Sequence, residues 1–498
     1  MGGLVQIVVV CAPWLNFYAP GPSPGVWPWL VSALCAVLVW LARTRLSVQV
    51  VAVSWLAAAL LSAVIGLCQY VGVAHHFSFM NVTEMGQAFA NLRQRNQFAT
   101  LTSIGLLALL WLLAQPSDGR AGKMGGQGVA WFLACTLMVA LALGNAASGS
   151  RTGLLQWLVV AGLVIMWRPT GMGGLRGWAV MALAMYLVAV LVLPVLLQAL
   201  TGRAYGGLVQ RLAEGTGCES RLVLWSNVLH LIEQKPWLGW GWGELDYAHF
   251  VTLYPGERFC EILDNAHNLP LHLAVELGVP LAVALCGAGL WLVWRACPWR
   301  ETDHTRQLAW GVLAVVVLHS MVEYPLWYGP FQMAFGLCVW LLMAGGRAPT
   351  LVPQPGRSGA VFRPMLVTAI LVLPIGYAAW DYHRISQIYL APQARDAAYQ
   401  DNTLDKLQGS WLFSDQVNFA ELTTTPVGPD NAARINALAH QVLHYSPEAR
   451  VVVVVIESAA MLGRTDEVRF FTQRLKVAYP QAHARWSRGV PSDADETD

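Results

Sequence analysis

Charged side chains are scarce here: Asp, Glu, Lys and Arg together supply 12% of 498 residues. A soluble domain carries about twice that fraction, so a string of water-exposed globular domains is excluded for most of the chain. Net charge is small as well, +2, and the basic residues fall in short loops. That distribution argues against a nucleic-acid surface. Metal-ligand spacing is missing: His272 and Glu276 stand one turn apart, but they form no HExxH and no third ligand follows at a convincing distance. There is also no basic stretch ahead of the first apolar run, so that run is expected to be a retained span, not a cleaved signal.

Apolar length is what the chain has in abundance. Hydrophobic residues make up 56%, in runs near 4–17, 26–42, 49–73, 97–115, 129–145, 153–167, 178–200, 269–294, 308–323, 330–344 and 365–381. Most approach the ~20 residues that carry a helix across a bilayer. Many of the 23 Trp sit at the ends of runs, where an interfacial belt places them. The expected fold is all-α, a polytopic membrane bundle of about 11 transmembrane helices over residues 1–382, with a large loop at 201–268. Residues 383–498 are more polar and are expected to form a small soluble helical domain.

Arg and Lys orient this bundle. Twelve of them lie in the loops 43–48, 116–128, 168–177, 295–307 and 345–364, whereas the opposite loops carry eight in nearly twice the length. The positive-inside rule puts the first group in the cytoplasm and the 201–268 loop outside. Eleven spans leave the C-terminal domain outside too, and an error of one span would reverse its side.

The outside arginines are the exceptions to that bias. Arg151 lies in the tight SGSRTG turn, and Arg93 and Arg95 lie in NLRQRNQF ahead of a span. Guanidiniums at headgroup depth suit a lipid diphosphate because each offers a planar, permanently charged fork of donors. Snorkelling to ordinary phospholipid phosphates is the plain alternative. In the large loop, Leu222, Trp225, Val228, Leu229 and Ile232 recur at helical spacing behind a Ser220 cap, with Arg221 in the first turn. Such a stripe fits a helix lying on the bilayer or against the bundle. PWLGWGWGE then offers either a flexible loop with aromatic faces for sugar rings or interfacial Trp packing.

His267 closes the loop in DNAHNLPLHLAVELGVP, followed by Asn268 and Pro270. A lone histidine is usually structural; this one stands at a span mouth on the Arg-bearing side, and imidazole is an efficient base near neutrality. Farther on, HSMVEYPLWYGPF places Glu323, Tyr324, Trp327 and Tyr328 on a short outer turn, with His319 a candidate partner for Glu323. The alternative for this turn is an interfacial aromatic belt. HQVLHYSP at 440–447 and QRLKVAYP at 473–480 repeat at an offset of 33, near the tetratricopeptide period. VVVVV at 451–455 reads as a buried helix face or a strand, and the acidic tail after Pro491 reads as disordered. That domain suits either acceptor docking or bracing of the bundle.

NLRQRNQFAT, SGSRTGLLQ, SRLVLWSNVL with PWLGWGWGEL, NAHNLPLHLAVELGVP and HSMVEYPLWYGPF occur in that order. The set resembles the bacterial O-antigen ligase superfamily, and within it the protein (pilin-type) O-oligosaccharyltransferase branch. The resemblance implies an inner-membrane glycosyltransferase acting on the periplasmic side, with no nucleotide sugar, cofactor or metal. It would move a glycan from undecaprenyl diphosphate to a hydroxyl of a pilin or other periplasmic acceptor protein. It also implies that His267 is the essential histidine, Arg221 the large-loop arginine and Arg151 the arginine of the SRT turn. Arg95, Asn268, Glu323, Tyr324 and Tyr328 are the further candidates for holding lipid diphosphate or glycan. Cys218 and Cys260 both lie in the large loop and can pair if it faces an oxidising periplasm. An O-antigen ligase or polymerase would share these residues; a transporter or flippase would instead place paired charges or broken helices at mid-membrane. A non-catalytic scaffold would not depend on His267.

Overall fold

A computed structural model describes the chain except for residues 1, 18, 20, 44–45, 116–123, 168–173, 204, 209–216, 344–361 and 490–498. Among the described residues the regular elements are helices, and no strand occurs. Apolar runs in hydrocarbon must satisfy their own N–H and C=O groups, and a helix does this within one segment. Two compact units result: residues Met1–Gly215 with Trp291–Ala379, and residues Thr216–Leu290 with Trp380–Asp498.

The first unit is built from α1 (Gly3–Leu15), α2 (Val26–Ala42), α3 (Val48–Tyr70), α4 (Arg95–Ala114), α5 (Met124–Ser148), α6 (Arg151–Met166) and α7 (Gly174–Thr201). Side-chain caps start two of them: Ser47 accepts from the Val50 N–H and Ser150 from the Gly153 N–H. α4 is the centre, 89% buried along its apolar window, and packs against α3, α5 and α6. Its polar side chains are paired. Gln156 on α6 donates to the Thr100 hydroxyl (2.8 Å) and accepts from Ser103 (3.1 Å), and Asn145 on α5 donates to Thr102 (2.7 Å).

The second unit opens with α8 (Arg221–Gln234), α9 (Leu245–Val251) and α10 (Leu269–Leu277). α11 (Val279–Ala296) and α14 (Phe362–Ser386) each contain a unit boundary, while α12 (His304–Ser320) and α13 (Gly329–Met343) return to the first unit. Each expected apolar run therefore contains a helix, with one correction. The run 269–294 is not one span: it breaks at Gly278, φ +87°, and His272 and Glu276 lie on the short α10 before it. By length and composition, Val48–Tyr70, Arg95–Ala114, Gly128–Ser148, Gly174–Thr201 and Val279–Arg300 can cross a membrane. Four shorter helices, α1, α2, α6 and α13, are also apolar. Arg45, Arg120, Lys123, Arg168, Arg347 and Arg357, which weighed in the orientation, lie outside the described residues, as does the acidic tail.

α15 (Thr403–Leu407), α16 (Ser414–Thr424), α17 (Ala432–Tyr445), α18 (Ala449–Met461), α19 (Thr465–Ala478) and α20 (Pro480–Trp486) complete the second unit. The valine run is helical: Val451, Val452 and Val455 are buried at three- and four-residue spacing on α18. The repeat positions Val442 and Leu475 both enter the same core. α9 of the large loop enters it as well. Phe250 stacks near Phe471 (centroids 6.3 Å), Tyr247 stacks on His444 (4.0 Å), and Arg474 Nε donates to the Val251 carbonyl (2.7 Å). Loop and C-terminal helices are thus one packed body.

Candidate functional site

In the first unit the start of α4, the start of α6 and the end of α12 meet. Glu323 is buried, and its carboxylate accepts from Gln94 Nε2 (3.0 Å) and Asn96 Nδ2 (3.2 Å). Asn96 Oδ1 in turn accepts from the Ser150 hydroxyl (2.6 Å), the cap of α6. Arg95, the first residue of α4, stands between Gln94 and Asn96, and Arg151, the exposed first residue of α6, follows Ser150. Arg95 Nη2 donates to Gln87 Oε1 (3.2 Å). Tyr324 and Tyr328 stack on the adjoining turn, centroids 5.8 Å apart. Two helix N-termini, each with orphan N–H groups and a positive dipole end, are thus joined through Asn96 and Ser150, and each opens on an arginine, a setting that favours an anion.

His319, the partner expected for Glu323, lies one turn below it and accepts the Glu323 N–H at its carbonyl (2.9 Å). The Nδ1 of His319 faces the Thr100 hydroxyl (3.0 Å), and the carboxylate of Glu323 is held by Gln94 and Asn96 from α4 and its approach. Those two amides were missed from sequence. The signal available was their polarity, since uncharged amides rarely stand at the mouth of an apolar span without a partner.

Arg221, His267 and Asn268 belong to the second unit. Arg221 opens α8, whose cap Ser220 accepts from the Val223 N–H (3.3 Å). One turn along the same face, Trp225 Nε1 donates to the carbonyl of Ala266 (3.1 Å). That bond ties the residue before His267 to Arg221's own helix. His267 has φ +48°, a left-handed conformation that is uncommon and costly outside glycine. Its N–H donates to Asn265 Oδ1 (2.9 Å), and the next residue is fixed because Asn268 Oδ1 caps α10 through the Leu271 N–H (3.1 Å). A half-buried imidazole is therefore presented on a backbone held on both sides. Cys218 and Cys260 are disulfide-bonded, three residues before Arg221 and seven before His267.

His272 and Glu276 brace this loop from behind. Both are buried, with His272 Nε2 3.4 Å from Glu276 Oε2, and Glu276 Oε1 accepts the Gly243 N–H (3.0 Å). Burial, reinforced by the neighbouring His267, pulls the His272 imidazole down to about 4, and burial pushes the Glu276 carboxyl up to about 7. The Gly/Trp stretch is rigid: Trp240 N–H donates to the Val275 carbonyl and Gly241 N–H to that of Glu276. A Cβ on Gly239 would run into the Glu276 carbonyl, and one on Gly278 into that of Trp237. Of its tryptophans, Trp237 and Trp242 are exposed, whereas Trp240 bonds the Leu231 carbonyl.

The expected stripe on α8 is split between two faces. Leu224, Val228, Leu231 and Ile232 form the buried face, while Leu222 and Leu229 remain exposed.

Comparison with known proteins points one way. Residues 136–286 match the family described as O-antigen ligase, residues 88–113 that of protein glycosylation ligase, and residues 307–493 the C-terminal part of a virulence factor membrane-bound polymerase. A general O-oligosaccharyltransferase of Acinetobacter baylyi is 25% identical over 339 residues, 67% of this chain and 56% of that protein. A ComP-specific O-oligosaccharyltransferase of the same organism is 23% identical over 289 residues, 56% of this chain and 48% of that protein. The chain spans about half the length of these curated relatives. No solved structure matches it. The likeness to the O-antigen ligase superfamily and its protein-glycosylating branch that the motifs carry is met by these findings.

Proposed function

We propose that the protein transfers a glycan en bloc from undecaprenyl diphosphate to a Ser or Thr hydroxyl of a pilin or other periplasmic acceptor protein. The observation that carries this reading is the Ser150–Asn96–Glu323 relay, which joins the N-termini of α4 and α6, each opening on an arginine, Arg95 and Arg151. That arrangement supplies positive charge for a diphosphate leaving group. In this reading His267 takes the proton of the acceptor hydroxyl, and the oxygen attacks the anomeric carbon. The bond from that carbon to the diphosphate oxygen breaks, and the leaving charge is shared by Arg151, Arg95 and Arg221. Attack from the face opposite the diphosphate inverts the anomeric centre. Asn268, Glu323, Tyr324 and Tyr328 would shape the donor and glycan subsites.

The same reading places the chain in the bacterial inner membrane, with about 11 spans and both the large loop and the C-terminal domain in the periplasm. Two observations support that side. The Cys218–Cys260 bridge suits an oxidising compartment. The C-terminal helices pack with α9 as one body, in keeping with a reading in which α11 to α14 between them cross the membrane four times.

The test is reconstitution with an undecaprenyl-diphosphate-linked glycan and candidate acceptors, read by intact mass. An acceptor protein gaining one glycan mass is the expected product; transfer to lipid A-core, or glycan lengthening on the lipid, would replace this reading with ligase or polymerase activity. Arg151→Ala and Arg221→Ala should each weaken donor binding, with Lys rescuing only in part because the bidentate fork is lost. Normal donor affinity and turnover in both Ala variants would remove the arginines from the site.

A further inference from the structure

A cavity of about 310 Å³ in the first unit takes no part in the reading above. It lies between one face of α2, from Trp29 through Ala36 and Trp40 to Arg43, and one face of α13, from Gly329 through Gln332 and Gly336 to Trp340. The groove is shut at one end, where Gly329 presses against Ser32 and the Trp29 backbone and Trp29 Nε1 donates to Gln332 Oε1 (3.1 Å). It opens toward the other, since a Cβ on Gly336 would meet nothing within 4 Å. The open end carries a cation. Arg43 stacks on Trp40 (4.3 Å) and spends one Nη1 donor on the Trp40 carbonyl (2.7 Å), and among the described residues it has no acidic partner. Among the described residues its other N–H groups meet no acceptor.

The dimensions fit one leaflet. From Ser32 to Arg43, at ~1.5 Å per residue, the groove runs about 17 Å, against about 15 Å for half of a ~30 Å hydrocarbon core. Both helices expose large apolar side chains around it, Val31, Leu34 and Leu41 on α2 and Val339 on α13. The side is informative too. α3 starts just after Arg43 and ends at Tyr70, and the chain from there leads to Arg95. With α3 crossing the membrane, Arg43 stands on the face opposite to Arg95 and Arg151.

We propose that this groove is a binding site for an anionic phospholipid, with one acyl chain lying between α2 and α13 and its phosphate on Arg43. A guanidinium stacked on an indole keeps a planar fork for phosphate oxygens, and an apolar slot open to the bilayer is filled by the solvent it faces. The site is independent of the glycan-transfer reading, because it lies on the other face.

The experiment is native mass spectrometry of the full chain, delipidated in detergent and titrated separately with phosphatidylglycerol, phosphatidylcholine and undecaprenyl phosphate. Wild type should retain one phosphatidylglycerol, bound about tenfold more tightly than phosphatidylcholine, as one charge-assisted contact allows. Arg43→Gln should erase that preference while leaving the acyl contact. Gly336→Leu, and independently Ala36→Leu from the opposite wall, should abolish the retained lipid with unchanged helical content. Retention of phosphatidylglycerol by both groove-filling variants would overturn the proposal. So would undecaprenyl phosphate binding that both groove-filling variants abolish, or a protein dimer that Gly336→Leu dissolves, since the prenyl chain or a second copy would then occupy the groove.

Discussion

Replacing Cys218 and Cys260 together by Ser tests how the loop is held. The bridge joins residues 42 apart, and the chain-entropy relation gives about 4 kcal/mol for closing a loop of that length. Part of the geometry survives without sulfur: Asn227 on α8 donates to the Glu257 carbonyl (2.9 Å) and accepts from the Phe259 N–H (2.8 Å). The segment before Cys260 therefore stays on α8, and the loss should appear as a lower midpoint, not as a failure to fold. For a unit of roughly two hundred residues, 1 kcal/mol moves the midpoint by ~2–4 °C, so the double variant should melt roughly 8–16 °C lower. The assay is tryptophan fluorescence of purified protein with and without reductant, since Trp225 and Trp240 are bonded within this unit. Reductant should lower wild type toward the variant and leave the variant unmoved. Equal midpoints for oxidised wild type and the double variant, or complete alkylation of both cysteines without reductant, would refute the reasoning.

Two further outcomes follow from the body formed by loop and C-terminal helices. Phe250→Ala empties a buried site facing Phe471 and Tyr479 and should cost about 3–5 kcal/mol; limited proteolysis should then cut earlier at Arg464, Arg469 and Arg474, and an unchanged cleavage rate would contradict the packing. Asp246→Asn reports on pH. Burial, with Glu244 and Asp264 adding to it, lifts the Asp246 carboxyl to about 7. For a raised carboxyl the stabilisation is whole below ~4 and is lost as pH climbs through the folded value. The Asn variant, which still accepts from the Tyr247 N–H, should therefore gain over wild type near pH 8 and not near pH 4. A difference in midpoint that is the same at both pH values would contradict this.

Much of this architecture is legible in the sequence for a physical reason. Apolar runs force helices in hydrocarbon, so each run contains one, and Ser150 and Ser220 are visible as caps before Arg151 and Arg221. The break at Gly278 is not legible, because it depends on the Trp237 backbone some forty residues earlier. Glu323 was rightly expected to have a partner, but its amides come from residues more than two hundred positions away, beyond any local pattern. α8 was seen as a helix, yet its buried face lies on Leu224 and Leu231, because both of its sides are apolar. The repeat was detectable at Val442 and Leu475; that its core also accepts Phe250 from the loop was not.

The most direct measurement is glycan transfer per folded molecule for His267→Ala, with wild type and variant matched for monodispersity and for donor binding. His267 sits at φ +48° on a loop held by Asn265, Trp225 and the Asn268 cap. Removing its side chain leaves those backbone bonds in place, so the variant should fold and bind donor. Transfer should fall by a factor on the order of 10²–10⁴, as loss of a general base requires. Activity within a few-fold of wild type would contradict the central assignment.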